Sequence, residues 1–386
     1  MKSTLLQLLT ISLYTTSTLA SIHHKRQQNA TTTTGGQNYL ILDNDWGITD
    51  FTQILMAAAS PTYKLLGLTS NTGQTWSLQA ALHALQSLQL GNLNSCIPVH
   101  QGAVYPLLTT PSTFQLWEQL HGPVPYAGVM APQNLTAQSL GSDPTSGDPT
   151  TINPAAFVGG AAPSPSLLAS TLAASFMIEQ VRKYPGQVSI LAAGPLTNIA
   201  LAIRLDSTFA SNAKQLVVMG GYIDTTLFQA TGSLLEADIN TDINLKIDPE
   251  ASKIALTASW PSVTLVGDAA NSVYLNATDY ADISSVNNTF TSTFIADNFP
   301  VLPLWDATAL AVLLEPSIVT NETMFYVDVD VAWYSGFYGE VRPYQAALSP
   351  PAQNLRMVKY PFNLDGERVK TLVKSALMMP PTCANL

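Results

Sequence analysis

The sequence predicts an α/β fold, a single large domain with a mostly parallel, Rossmann-like sheet flanked by helices. Short apolar runs alternate with segments of helical apolar spacing, which is typical of β-α-β units. Crossovers of this kind are right-handed and make neighbouring strands parallel. No break in composition and no repeat divides the chain, so we expect one domain over residues 39–386.

The first predicted strand ends in a cluster of acidic side chains. Residues 39–42 form an apolar run, and residues 43–50 follow with the sequence Asp-Asn-Asp-Trp-Gly-Ile-Thr-Asp. The glycine in this segment permits a tight turn. Either Thr49 or Asp50 is suited to cap a helix that begins at Phe51.

These carboxylates repel one another, and their pKa values rise unless a cation or hydrogen-bond donors neutralise them. A hard cation with several oxygen ligands is one solution, and calcium fits the ligand type best. In the alternative interpretation, one acid caps the helix and the others face water. The strand, the turn and the helix alone leave both interpretations open.

The remaining elements follow in order along the chain. Strands are predicted at 63–70, 97–100, 188–193, 214–221, 263–267 and 325–333, and helices at 77–90, 169–183, 194–204, 303–310 and 369–378. The strand at 325–333 alternates like an antiparallel or edge strand. Residues 105–166 are irregular and rich in Pro, Gly, Ser and Thr. Since long loops in compact domains are usually functional or disordered, we expect a cover over the site with a mobile part.

The composition of the chain argues against some binding partners, and its N-terminus indicates where the protein is sent. Charged residues make up 11% of the 386 residues, the net charge is −10, and no basic stripe is present, which argues against a nucleic-acid partner. Residues 1–20 have the positive start, short apolar core and small final residue of a secretory signal peptide. The apolar core is too short to span a membrane. Residues 21–38 predict a disordered polar tail.

Two further features suit a secreted protein. Glycosylation triplets begin at Asn29, Asn134, Asn276, Asn287 and Asn321. The two cysteines, Cys96 and Cys383, can form one bridge in an oxidising compartment. The alternative is a pair of free thiols, and we expect the bridge.

Taken together, these segments resemble the inosine-uridine-preferring nucleoside hydrolases. The family opens with a strand that carries Asp-x-Asp-x-Gly-x-Asp-Asp, which stands here as residues 43–50. The other matching segments follow in the expected order: 66–73, 96–102, His121 with Gly122, 188–200, 217–221, 242–252, and Trp305 with Asp306. The resemblance implies calcium-dependent hydrolysis of the N-glycosidic bond of small-molecule ribonucleosides. Relatives are often dimers or tetramers, so a homo-oligomer is compatible with the resemblance, although nothing in the sequence identifies an interface.

The resemblance also implies roles for individual residues. Calcium would be held by Asp45, Asp50, Asp306 and the backbone carbonyl of Ala193. Asp45 would act as general base on a calcium-bound water, which attacks the anomeric carbon through an oxocarbenium-like state. The residues implied to bind the substrate are Thr49, Gln74, Asn240, Asp242, Asn244 and Asp306.

Three of these positions depart from the family pattern. Thr49 replaces the first of two paired aspartates and can only make a neutral, weaker hydrogen bond to ribose. Asp242 replaces the commoner glutamate and has a shorter reach, and Gln74 replaces an asparagine. The changes affect the expected ribose affinity more than metal binding. They leave open a secreted nucleoside- or sugar-binding homologue with lost or altered catalysis.

The leaving base requires protonation or increased basicity. Some members carry a histidine general acid just before the last aspartate, where this chain has Trp305. The tryptophan resembles purine-preferring members, in which the indole stacks on the base, and such stacking contributes about 1–3 kcal/mol. We therefore predict purine preference. We expect His121 to contact the base or the 5′-hydroxyl.

Other interpretations remain for individual residues and for the class of protein. Considered alone, Asp306 is better explained as a helix cap, whereas beside Asp45 and Asp50 it is better explained as a metal ligand. Asp248 is expected to be a structural helix cap, and Trp46 to be either a core aromatic or a wall of the pocket. A phosphotransferase also uses an Asp-x-Asp strand end, but it requires a lysine and a third acidic motif suited to magnesium. No matching lysine is evident.

Overall fold

The computed structural model describes residues 37–47, 50–223, 242–286 and 302–385. The predicted signal segment and residues 21–36 of the predicted tail lie outside these ranges. So do Thr49 and Asn240, both expected to bind ribose, and the glycosylation triplets that begin at Asn29 and Asn287. The predictions for those residues therefore stay predictions.

The described strands form one nine-stranded sheet. In chain order they are β1 (Asn38–Asn44), β2 (Tyr63–Ser70), β3 (Val99–His100), β4 (Val188–Ala193), β5 (Gln215–Met219), β6 (Val263–Val266), β7 (Val319–Val329), β8 (Val341–Tyr344) and β9 (Arg356–Leu364). Across the sheet the order is β3-β2-β1-β4-β5-β6-β9-β7-β8. The strands from β3 to β9 in that order pair in parallel. β7 is antiparallel to both of its neighbours, which confirms the mostly parallel sheet and the antiparallel strand predicted near its end.

Helices cover both faces of the sheet. They are α1 (Phe51–Ala58), α2 (Ser77–Leu90), α3 (Pro111–His121), α4 (Leu135–Ser139), α5 (Ala173–Lys183), α6 (Thr197–Leu205), α7 (Phe209–Asn212), α8 (Ile243–Lys246), α9 (Pro249–Thr257), α10 (Ala277–Ser284), α11 (Trp305–Leu314) and α12 (Gly366–Met378). Because successive side chains of a strand point to opposite faces, Leu40 and Leu42 pack into one core cluster and Ile41 into the other. A parallel sheet covered on both faces explains why β1 is apolar along most of its length.

The order of the central strands positions the site. From β1 the chain adds β2 and β3 on one side, and later β4, β5 and β6 on the other. Ligands of such sheets bind beyond the carboxyl ends of the strands at this point of reversal. Asn44, the last residue of β1, is in register with Ser70 of β2 and Ala193 of β4, so the acidic residues that follow β1 lie at the switch point.

The irregular segment around residues 105–166 packs against this edge of the sheet. The Val129 N–H donates to the Gly73 carbonyl (2.9 Å) in the turn that follows β2. His83 Nε2 of α2 lies 2.8 Å from Asp143 Oδ1, and the indole N–H of Trp76 donates to the Thr145 carbonyl (3.3 Å). These contacts attach the segment to α2 and to the turn beside the acidic cluster.

Cys96 and Cys383 form a disulfide, with 5.8 Å between their Cα atoms, so the expected bridge is confirmed. It attaches the C-terminal segment after α12 to the region between α2 and β3. Among the described residues, no helix combines the length and the hydropathy that a membrane span requires.

Replacing both cysteines by serine (Cys96→Ser with Cys383→Ser) should lower the free energy of unfolding by about 2–4 kcal/mol, because a cross-link restricts the unfolded chain. Urea denaturation of the oxidised protein and of the double variant measures this difference. Reducing the wild type should reproduce the loss, and a reductant should not affect the variant, since the chain has only these two cysteines. Equal stability of all three forms would contradict the prediction.

Candidate active site

Asp43, near the end of β1, is fully buried and is held by hydrogen-bond donors. Its carboxylate accepts from Thr69 Oγ1 (2.7 Å), Asn198 Nδ2 (2.8 Å) and Asn71 Nδ2 (3.3 Å). Burial raises the pKa of Asp43 to about 6, although these donors act against the shift. Because Thr69 and Asn71 lie at the end of β2 and Asn198 lies in α6, Asp43 holds the strand ends together beneath the site.

Asp45, Asp50 and Asp306 meet above this network. One oxygen of Asp45 accepts from the Gln74 backbone N–H (2.8 Å), and one oxygen of Asp50 accepts from the Gly47 N–H (2.5 Å). The side chain of Asp50 also hydrogen-bonds to that of Asp306, in the first turn of α11. The structure thus brings together the three acids that were expected to surround one cation.

Burial raises the pKa of every acid in this cluster, and the charges of neighbouring acids raise the pKa of Asp45 and Asp50 further. Burial, followed by the charge of Asp306, raises the pKa of Asp45 to about 8. Burial and the charges of Asp306 and Asp45 raise the pKa of Asp50 well above its usual value. Burial raises the pKa of Asp306 to about 6, against the effect of the side chains that donate to it. Near neutral pH the cluster therefore retains protons unless a positive charge lies nearby.

The donor chemistry of the cluster fits a hard divalent cation. Carboxylate and carbonyl oxygens are the ligands that such ions prefer, and Ala193 ends β4 beside Asn44. A Cβ atom on the next residue, Gly194, would lie 3.0 Å from the Asp45 backbone nitrogen, so this turn packs closely on the cluster. Within the described ranges, however, no three His, Cys, Asp or Glu side chains already have the arrangement of a metal site.

Two amide side chains that sequence analysis did not single out hold Asp306. Asn44 Nδ2 and Gln53 Nε2 donate to the same oxygen of Asp306, over 2.9 Å and 3.1 Å. In the sequence, Asn44 is simply the residue between two acids. Gln53 is simply a polar residue in an apolar predicted helix. No local pattern indicates that either one contacts a residue so distant in the chain.

Asp242 and Asn244 lie at the same edge of the sheet, beyond β5. One Asp242 oxygen accepts from the N–H groups of Gly221 (2.5 Å) and Tyr222 (3.2 Å), and the other accepts from the Leu245 N–H (3.3 Å), which caps α8. Burial raises the pKa of Asp242 to about 6. Asn244 Nδ2 donates to the main chain of β5. Both side chains are therefore oriented by the main chain.

Tyr222 links Asp242 with the acidic cluster electrostatically. The ring is buried, and burial raises the pKa of its hydroxyl well above the usual value. The charges of Asp242, Asp268 and Asp306 raise it further. The sequence indicated no role for Tyr222.

Gln74 borders the cluster and Trp305 adjoins Asp306 in the chain, whereas no hydrogen bond or ring contact joins His121 to the cluster in the part of the chain that the structure describes. A Cβ atom on Gly47 would lie 2.0 Å from Gln74 Oε1, so the Gln74 side chain lies against the turn between the acids. Trp305 directly precedes Asp306, is half-buried, and donates from Nε1 to Asn271 Oδ1 (2.7 Å). His121 is exposed at the end of α3, with its ring 5.0 Å from that of Trp117.

Two residues whose roles were open or expected to be structural now have defined surroundings. Trp46 is only 1% exposed and donates from its indole to the Thr69 carbonyl (2.8 Å), so it is a core aromatic. Asp248 caps α9 by accepting from the Ala251 N–H (3.1 Å), as expected.

Raised carboxyl pKa values make stability depend on pH. The folded state binds more protons than the unfolded state between about pH 4 and about pH 8. Stability in the presence of a chelator should therefore fall as the pH rises through this window, by up to about 1.4 kcal/mol per pH unit for each such group. Asp306→Asn removes one of these groups and the repulsion on Asp45 and Asp50, so the dependence should become shallower.

Urea denaturation from about pH 5 to about pH 8 measures this slope. The matched control is Asp148→Asn. Asp148 is an exposed acid whose pKa is lowered by hydrogen bonds from Thr150, so the control should keep the wild-type slope. A wild type whose stability does not change across the window would contradict the prediction.

Comparison with known proteins identifies the family. The model of the inosine-uridine preferring nucleoside hydrolases matches residues 40–370. An uncharacterized Schizosaccharomyces pombe protein is 34% identical over 325 residues, covering 81% of this chain and 77% of that protein. Uridine nucleosidase 1 of Arabidopsis thaliana is 33% identical over 233 residues, which cover 60% of this chain and 57% of that protein.

A solved structure shares the fold. An inosine-guanosine nucleoside hydrolase aligns with a TM-score of 0.66 and 19% identity, over 88% of this chain and 98% of that one. The family match, the sequence relatives and the common fold agree with the acidic cluster at the switch point of the sheet. The chain therefore belongs to the inosine-uridine preferring nucleoside hydrolases, which are metal-dependent N-ribosyl hydrolases.

Proposed function

We propose that this protein hydrolyses the N-glycosidic bond of ribonucleosides to free base and ribose, and that the reaction depends on calcium. The convergence of Asp45, Asp50 and Asp306 beyond the end of β1 carries this proposal. These acids repel one another in a buried setting, and their oxygens suit calcium. When bound, the ion neutralises the cluster and lowers the pKa of water at the site.

Asp45 is the general base in the proposed mechanism. Its carboxylate is oriented by the hydrogen bond from the Gln74 N–H (2.8 Å). Because its pKa is about 8 without a nearby positive charge, Asp45 needs that charge to be ionised at neutral pH and accept a proton. It takes the proton of the attacking water while the bond from the anomeric carbon to the base breaks. The electron pair of that bond leaves with the base.

The surrounding groups bind the sugar and stabilise the transition state. Asp242 and Asn244 are proposed to hold the ribose, and their main-chain contacts at the end of β5 support this by orienting both side chains. The carboxylates of the cluster stabilise the positive charge that develops on the sugar ring. Thr49 and Asn240 are proposed as further ribose contacts on the basis of the family pattern alone, and His121 as a contact to the base or 5′-hydroxyl.

Trp305 supports a preference for purine nucleosides. Its indole N–H is engaged by Asn271 (2.7 Å), so stacking, rather than proton donation, is the contribution that this side chain offers to a leaving base. Uridine is the second candidate, because the Arabidopsis relative is a uridine nucleosidase. The base preference is therefore a separate proposal with its own test.

We also propose that the protein is secreted. The disulfide between Cys96 and Cys383 suits an oxidising compartment. Three glycosylation triplets begin at exposed residues, Asn134, Asn276 and Asn321. A signal peptide at residues 1–20 would account for this location.

Asp45→Asn should lower the rate of ribose release by roughly 10²–10⁴-fold, the usual contribution of a general base. Release of reducing sugar from inosine measures the rate, and thermal unfolding establishes that the variant is folded. Asp148→Asn, in an exposed loop, should keep the wild-type rate.

A chelator should abolish the wild-type rate and calcium should restore it. Unaltered turnover in Asp45→Asn would overturn the base assignment, and nucleoside binding without sugar release by the wild type would favour a binding protein.

The wild type should have a higher kcat/KM on inosine than on uridine. Removing the indole (Trp305→Leu) should lower kcat/KM on inosine by roughly 5-fold to 160-fold, which corresponds to the ~1–3 kcal/mol of base stacking. Trp305→Phe keeps an aromatic face and should lose less. Steady-state kinetics on inosine and uridine measure kcat/KM for each nucleoside. Faster cleavage of uridine by the wild type would exclude purine preference.

A further inference from the structure

We propose that Asn44 and Gln53 form an amide clamp on Asp306 that sets the affinity of the site for its divalent cation. This inference rests on the proposed function, since it concerns the same acidic cluster. Neither amide is assigned a contact with substrate, so both are positioning residues that act through Asp306.

The clamp consists of two donors on one oxygen. Asn44 Nδ2, at the end of β1, and Gln53 Nε2, in the first turn of α1, donate to Asp306 Oδ2 over 2.9 Å and 3.1 Å. Both amide residues are 0% exposed, whereas Asp306 is half-buried, so the two donors are shielded from water. Bonds to a charged acceptor are stronger than neutral ones. Two fixed donors on one oxygen restrict rotation of the carboxylate, which fixes the direction in which its other oxygen points.

Asn44 also connects Asp306 with the turn that carries Asp45. Its Oδ1 accepts from the Trp46 N–H (3.1 Å). Trp46 has φ of 42°, a left-handed conformation that is uncommon for a residue other than glycine. The bond to Asn44 and the buried indole stabilise this conformation. The Asn44 side chain therefore connects Asp306 with the residue that follows Asp45, although the two acids belong to distant parts of the chain.

A glutamine at position 53 is less favourable for folding than an apolar residue would be. Every residue of α1 is buried, and most of its neighbours there are apolar. Gln53 Oε1 is buried and has no hydrogen-bond partner among the described residues, which disfavours folding. An apolar side chain of similar size would avoid this penalty. The bond from Nε2 to Asp306 is the contact that accounts for a glutamine here, and it serves the acidic cluster rather than the core.

Outer partners that orient a metal ligand typically change metal affinity or activity by about 10–100-fold. Gln53→Met should therefore weaken calcium binding by about 10–100-fold, measured by isothermal titration calorimetry. The same variant should unfold in chelator at the wild-type temperature or above it, because it removes the unsatisfied Oε1. A merely structural glutamine would not produce weaker calcium binding together with undiminished stability. High calcium should restore most of the wild-type kcat.

Two further variants complete the test. Asn44→Leu removes the other donor and should also weaken calcium binding at least tenfold. Gln86→Met is the matched control. Gln86 is a buried glutamine of α2, its Nε2 donates to the Val158 carbonyl (2.9 Å), and its loss should leave the calcium Kd unchanged.

The outcomes separate the clamp from the proposed function. Wild-type protein that binds calcium and cleaves nucleosides, together with wild-type Kd values for Gln53→Met and Asn44→Leu, would overturn the clamp alone. Wild-type protein that neither binds calcium nor releases ribose would overturn the proposed function and the clamp with it. Weaker binding in both variants and not in Gln86→Met supports the clamp.

Discussion

Repulsion among Asp45, Asp50 and Asp306 is the constraint on which the rest of the site depends. The three acids converge where β1 ends, and burial raises the pKa of each. A protein that keeps such a group must supply positive charge or hydrogen-bond donors. This one supplies the N–H groups of Gly47 and Gln74 together with two amide side chains. These donors orient the carboxylates without neutralising them, which leaves the remaining charge for a cation.

The sheet makes this arrangement feasible because it brings strand ends together. β1 lies between β2 and β4, and the chain moves outward in both directions from there. Asp43 binds the strand ends from below through Thr69, Asn71 and Asn198. The strand ends that carry the acids are therefore joined to one another, and a reactive group needs such support to be positioned precisely. The segment attached through Val129 and Asp143 closes one side of this edge.

Much of the fold could be predicted from the chain, and less of the site. Apolar runs located most strands, although the helix expected from residue 169 begins at Ala173 and β3 contains only Val99 and His100. The acid cluster was anticipated because its motif and its position after a strand are local signals. The amide donors Asn44 and Gln53 were not anticipated, because their partner, Asp306, contributes nothing to the pattern around either of them.

The sequence by itself determined the alternation of strands and helices, the acids after β1 and the family to which the chain belongs. These depend on local periodicity and on motifs that are continuous in the chain. Only the tertiary structure decided which side chains meet: that Asp50 bonds to Asp306, that Trp46 is a core residue, and that Trp305 donates to Asn271. Contacts between residues that are not neighbours in the chain depend on how the sheet and helices pack, and no local pattern encodes them.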